Sequence, residues 1–110
     1  MQLLKSISTR PYFALSDEIR FRAVRCLCVD GREHTLTALG EALNVEQSKL
    51  SKHVQVLVWA ELIAERRSGR KLFLRANTDK SHVQMIQSSV MSVPDEQGLY
   101  ALDLEQLSGG

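Results

Sequence analysis

Between Gln47 and Gln55 the sequence places side chains that hydrogen-bond or carry positive charge at helical spacing. Ser48, Ser51, Lys52 and Gln55 fall at i, i+3, i+4 and i+7, and no acidic residue occurs after Glu46 until Glu61. On a helix these positions share one face. Hydroxyls and amides match the donors and acceptors of base edges, and ammonium groups match phosphates, so such a face suits a major groove. A second basic group follows: Arg66, Arg67, Arg70 and Lys71 lie within one short stretch. Those charges suit a sugar–phosphate backbone or a minor groove. The plainer alternatives are a solvated amphipathic helix for the first group and edge protection of a hairpin for the second. Edge protection does not explain why the charges share one sign.

Other chemistries find less support. Cys26 and Cys28 are two positions apart, so on a helix they point ~200° away from each other and cannot grip one metal ion. Small-residue packing is the main reading for both. His53 falls between Leu50 and Val54 on the inward side of its helix and reads as a hydrogen-bonding core histidine; His34 falls in a loop. With no carboxylate–His–nucleophile spacing, no glycine-rich phosphate loop and no quartet of metal ligands, the expectation is a protein without catalytic residues, metal or cofactor.

The elements that must position these groups follow from local signals. Ser8-Thr9-Arg10-Pro11 opens a short helix reaching about Leu15, with proline in its first turn. Ser16 is the expected N-cap of the next helix, which carries Asp17 and Glu18 at its positive end and stops at Asp30-Gly31. Ile19, Ala23, Val24, Cys26, Leu27 and Cys28 cover one broad face of it, and Arg20 within that face calls for a carboxylate partner. Thr37 is expected to cap a short helix with Leu39 and Leu43 inward, ended by Asn44 in the left-handed conformation and closed by Val45. A third helix follows from about Glu46 to Ala60, with Leu50, Val54 and Leu57 on the core. Two helices so joined form a helix-turn-helix. The period then changes from helical to alternating, which predicts a hairpin of Leu62–Arg67 and Lys71–Arg75 turning at Ser68-Gly69. A basic hairpin directly after a helix-turn-helix is the wing of a winged helix. A last helix, capped by Asn77 or Thr78, ends before Pro94. Its stripe of Val83, Ile86, Val90 and Val93 is roughly 80° wide, suits packing against one other helix, and reads as a dimer seam; packing within the protomer is the alternative.

The 110 residues suffice for one core and not two, and 44% hydrophobic with 25% charged residues excludes a disordered chain. The longest apolar run, Val56 to Ala60, falls far short of the ~20 residues that span a membrane. Met1-Gln2-Leu3-Leu4-Lys5 lacks the apolar stretch of a signal peptide. The two cysteines are too few for a disulfide scaffold, so a soluble protein of the cytoplasm, without a membrane partner, is expected. A net charge of +1 argues against nucleic acid only until its distribution is read. Residues 1–94 hold all 14 basic and nine acidic groups, net +5, whereas Asp95, Glu96, Asp103 and Glu105 leave the rest at −4. The expected organisation is a DNA-binding and dimerisation domain over 1–94 and an acidic tail over 95–110 that moderates non-specific binding. Leu99, Tyr100, Leu102, Leu104 and Leu107 let that tail dock as a short helix or stay partly mobile.

Phe13-Ala14-Leu15-Ser16-Asp17-Glu18-Ile19-Arg20 resembles the opening of ArsR/SmtB-type winged-helix repressors. Leu39 to Leu62, with Gln47-Ser48-Lys49-Leu50-Ser51-Lys52-His53-Val54 at its centre, is similar to that family's recognition helix. Arg66-Arg67-Ser68-Gly69-Arg70 followed by Leu72-Phe73-Leu74-Arg75 is similar to its wing. The resemblance covers residues 12 to 92. It implies a homodimeric repressor in a prokaryotic cytoplasm, paired through its first and last helices and released from a near-palindromic operator by an inducer, with half-sites about one helical turn or a multiple apart. The departures are specific. Metal-sensing members often carry Cys-x-Cys where this chain has His34-Thr35-Leu36-Thr37-Ala38-Leu39. Asp79 and His82 offer one half of the family's other metal site, and Ser89 to Val93 offers no second half. Cys26 lies where thiol-sensing members place one of two cysteines; it is a thiol-sensor candidate only given a partner or a lowered thiol pKa. Glu61 replaces the usual glycine after the recognition helix. Val58-Trp59 replaces a polar pair, and the added apolar surface is expected to pack on the wing or the tail.

The expected molecule is mainly α with a β-hairpin wing (α+β), a winged helix-turn-helix dimerising through its terminal helices. Its partners would be a double-stranded DNA operator and a second copy of itself, and the sequence names no inducer. Gln47, Ser48, Lys49, Ser51, Lys52 and Gln55 form the groove-facing set, with Arg66, Arg70 and Lys71 on phosphates or the minor groove. The rival reading is a protein-interaction module using Val58, Trp59 and the apolar tail. A third is a constitutive DNA-binding regulator with no ligand.

Overall fold

Capping residues decide where the helices begin, and the structure moves several of them by one or two positions. The computed structural model describes residues 9–109; Ser8, read as part of the first helix start, lies outside them. Helix α1 (Arg10–Ala14) carries Pro11 in its first turn, where the missing N–H leaves no intrahelical bond unmade. Helix α2 (Glu18–Asp30) is capped by Asp17 rather than Ser16. The Asp17 carboxylate accepts from the Arg20 backbone N–H at 3.1 Å, whereas the Ser16 hydroxyl donates back to the Phe13 carbonyl at 2.6 Å. A carboxylate is the stronger partner for the positive end of a helix. Gly31 ends α2 at φ +75°.

Helix α3 (Leu36–Leu43) is likewise capped by Thr35, which accepts from the Ala38 N–H at 3.0 Å, and not by Thr37. Asn44 ends it at φ 57° and ψ 48°, and the Val45 N–H donates to the Gly40 carbonyl at 2.9 Å. Helix α4 (Gln47–Trp59) starts at once, its cap Glu46 accepting from the Lys49 N–H. A Cβ on Gly40 would stand 3.1 Å from the Val45 carbonyl oxygen and 3.5 Å from Leu50 Cδ2. Glycine there lets α3 and α4 close on their turn.

Strands β1 (His34–Thr35), β2 (Ile63–Ser68) and β3 (Lys71–Ala76) form an antiparallel sheet in the order β1-β3-β2. Ser68 pairs with Lys71, so the turn is Gly69-Arg70, one residue later than expected. Gly69, at φ +61°, stands first in that turn, the position where a two-residue hairpin loop favours glycine. Helix α5 (Ser81–Ser92) begins later than Asn77 or Thr78 would have it, after Lys80 and without a side-chain cap. Asn77 is occupied elsewhere: its Nδ2 donates to the Glu61 carbonyl at 3.0 Å, closing the loop between sheet and helix. Helix α6 (Leu99–Gly109) starts where the Asp95 carboxylate accepts from the Tyr100 and Ala101 N–H groups. It packs on α2 and α3, so the acidic C-terminal segment docks as a helix.

One core joins these elements: Ala23, Val24 and Leu27 of α2, Leu39 and Leu43 of α3, Leu50, Val54 and Leu57 of α4, Leu62, Ile63 and Leu74 beside or in the sheet, and Val83 and Val90 of α5. Each such leucine or valine contributes about 2 kcal/mol by leaving water. The fold is an α+β winged helix. Among the described residues, no helix is long and apolar enough to cross a membrane.

Candidate nucleic-acid interface

Helix α4 divides by face. Leu50, Val54 and Leu57 are buried, and Gln47, Ser48, Lys49, Lys52 and Gln55 are exposed; Ser51 is half-buried. The ammonium groups of Lys49 and Lys52 make no ion pair among the described residues. Not every hydroxyl on the face is free. Ser48 donates to the Glu46 carboxylate, which its hydrogen bonds hold below the ordinary carboxylate range. Gln47 Oε1 accepts from the Thr37 hydroxyl at 3.1 Å.

The hairpin of β2 and β3 lies beside this helix. Between them is a cleft of about 460 Å³, whose walls include Thr37, Gln47, Ser51, Arg67, Arg70 and Lys71. Arg67, Arg70 and Lys71 are exposed and unpaired among the described residues, so their charge is open to an anionic ligand. Arg66 differs. Its Nη2 and Nε donate to Glu33 at 2.6 and 3.1 Å, and its guanidinium lies 4.5 Å from the Phe73 ring centre. The carboxylate of Glu33 therefore already answers that charge in the free protein.

The buried side of α4 is tied to α2 through groups whose pairing the sequence did not reveal. Among the described residues Arg20 makes no direct ion pair, although its charge acts on the nearby Asp17 carboxylate. Its Nε donates to the Ala14 carbonyl at 2.7 Å and its Nη1 to His53 Nδ1 at 3.1 Å. Since an arginine only donates, His53 accepts at Nδ1, and the hydrogen-bonding role expected of this histidine is met by a side chain. Burial works to raise the Asp17 carboxyl nearby, but the Arg20 backbone N–H and the charge of the Arg20 guanidinium hold it below its usual value. The ion-paired arginine of α2 is Arg22, bidentate to Asp103 of α6 at 2.8 and 3.0 Å. Arg22 Nη2 also donates to the Leu43 carbonyl at 2.9 Å, which links α6 to the turn of the helix-turn-helix. His34 lies in β1 rather than a loop, its Nε2 2.6 Å from Asp30 Oδ2.

The stripe expected to form a dimer seam is split. Val83 and Val90 are buried in the protomer's own core, with Gln87 between them donating to the Leu62 and Asn77 carbonyls. Val90 also lines, with Ile86 and Val93, a shallow apolar groove of about 250 Å³ that includes Tyr12, Leu15, Phe21 and Met85. Tyr12 is 65% and Met85 75% exposed. Trp59, at the end of α4, packs against α1. Its ring meets Phe13 edge-on at 6.1 Å between centres, with the Arg10 guanidinium 4.6 Å above it.

Burial pushes the Cys26 thiol up to about 12 and that of Cys28 up to about 11. Both stay protonated near neutral pH, the reverse of an activated thiolate. Among the described residues, no group of three His, Cys, Asp or Glu side chains is placed to hold a metal ion.

No family model matches the chain. Over 73 residues it is 33% identical to YceK of Bacillus subtilis (strain 168), an uncharacterized HTH-type transcriptional regulator, a match covering 66% of this chain and 73% of that protein. With a helix-turn-helix and its hairpin in the fold and this degree of identity to such a regulator, the chain belongs to the HTH-type transcriptional regulators.

Proposed function

We propose that the protein is a sequence-specific DNA-binding repressor of the ArsR/SmtB type, acting as a homodimer on a near-palindromic operator that it leaves when an inducer binds. The observation that carries this reading is the pairing of the exposed polar face of α4 with the unpaired cations of the hairpin across one cleft. A helix seated in the major groove brings Gln47, Ser48, Lys49, Ser51, Lys52 and Gln55 to base edges and flanking phosphates. The hairpin then follows the backbone with Arg70 and Lys71, and with Arg66 if it leaves Glu33. The apolar groove between α1 and α5 supplies the dimer contact, with Ile86, Val90 and Val93 of the predicted stripe and the exposed Tyr12 and Met85 at its surface. Cys26 is given no part in sensing, because its thiol is buried and protonated.

Two substitutions test the groove assignment. Lys52→Ala should weaken binding to all duplex sequences and reduce the slope of log affinity against log salt by about one. Ser51→Ala should leave that slope unchanged and alter which sequences are preferred. If both variants bind every duplex as the parent does, α4 is not the reading helix.

A further inference from the structure

The Thr37 hydroxyl stands 3.1 Å from Gln47 Oε1. Thr37 is the second residue of α3 and Gln47 the first of α4, so the bond joins the two helices of the motif at the cleft facing the hairpin. Two features select the oxygen of the carboxamide for this contact. Thr37 sits at the positive end of the α3 dipole. Arg67, Arg70 and Lys71 line the same cleft, so the negative end of the amide faces inward. With one lone pair of Oε1 engaged, the amide is held against turning end for end. Its free edge keeps an acceptor lone pair beside the Nε2–H donors. In a major groove that edge complements adenine, whose N6 donates and whose N7 accepts. Guanine offers two acceptors there, O6 and N7, and sets one of them against the amide oxygen.

We propose that Thr37 is a positioning residue that makes Gln47 a reader of adenine. The inference rests on the groove-binding reading of α4 and narrows it to one base and one residue pair. It gives Thr37, which caps no helix, a role through the side chain it holds. Ser48 cannot supply the same service, because its hydroxyl is already given to Glu46.

The test is selection from a randomised duplex pool by the parent protein, Thr37→Val, Thr37→Ser and Gln47→Ala, followed by affinities on the selected duplex and its single-base variants. Valine keeps the shape of threonine without the donor, and thermal unfolding of the exposed-site variant checks that the fold is intact. The parent should prefer adenine to guanine at one position by about tenfold, and Gln47→Ala should flatten that preference. Thr37→Val should reduce it by about threefold or more, Thr37→Ser should restore it, and all four proteins should keep the same salt slope. A guanine preference at the Gln47-dependent position, or undiminished discrimination by Thr37→Val, overturns the inference. So does a normal salt slope with no Gln47-dependent position, and in that case the groove reading survives. If the parent shows no salt-dependent duplex binding at all, both fall together.

Discussion

Asp103 is 3% exposed, and both of its oxygens are taken by Arg22. A buried pair of this kind adds little net stability over an apolar one, but removing one partner leaves the other charge in a poor environment. Asp103→Ala is expected to lower the unfolding free energy by about 3 kcal/mol in a urea titration. A loss under about 0.5 kcal/mol, the range of an ordinary surface substitution, contradicts the pairing. Glu61 poses the opposite case, a side chain where the backbone prefers none. At φ 65° it occupies the left-handed region, which costs a non-glycine residue about 1–2 kcal/mol. Its half-exposed bridge to Lys80 at 2.8 Å offsets only part of that. Glu61→Val should therefore be less stable than Glu61→Gly by about 1–2 kcal/mol in thermal unfolding. Equal stabilities of the two variants contradict the left-handed backbone.

Among the elements, the hairpin carries the sharpest expectation. Glu33 holds Arg66 through two hydrogen bonds, which lowers the Glu33 carboxyl and raises the Arg66 guanidinium from their ordinary values. Glu33→Gln removes the competing charge, so affinity for duplex DNA should rise and the salt slope should steepen by up to about one. Unchanged affinity means that Arg66 does not reach a phosphate. The helices and the inward residues of α3 and α4 were legible because apolar periodicity reports a face directly, and the hairpin because its period is two. Caps were displaced because neighbouring polar residues compete: Asp17 outcompetes Ser16, and Thr35 replaces Thr37. Strand β1 left no signal, since two residues carry no period. The stripe on α5 showed which residues share a face and not what covers it: Val83 and Val90 are buried within the protomer, and Val90 also borders the groove with Ile86 and Val93. The groove face was visible as spacing, whereas Thr37–Gln47, Arg66–Glu33 and Arg20–His53 span 10 to 33 residues and appear only once the chain is folded.

At the scale of the whole molecule, the near-neutral total charge is the sum of a basic α4–hairpin side and an acidic C-terminal segment, Asp95 to Glu105. Part of that acid, Asp103, is matched by Arg22, so α6 contributes to the core as well as to the charge balance. Removing the segment would uncover Arg22 and the surfaces of α2 and α3 on which α6 packs. The apolar groove of α1 and α5 is the surface proposed to pair two copies. Met85→Glu places a charge on it at a position 75% exposed in the protomer, where folding should be unaffected. Sedimentation should show the parent as a dimer and this variant shifted toward monomer at the same concentration; a variant as dimeric as the parent removes this groove from the interface. The central claim is tested most directly by titrating the purified protein with duplex DNA from upstream of its own coding region over a series of salt concentrations. The account predicts that log affinity falls linearly with log salt, with a slope of several units set by the lysines of α4 and the arginines of the hairpin. Binding that is absent or indifferent to salt contradicts it.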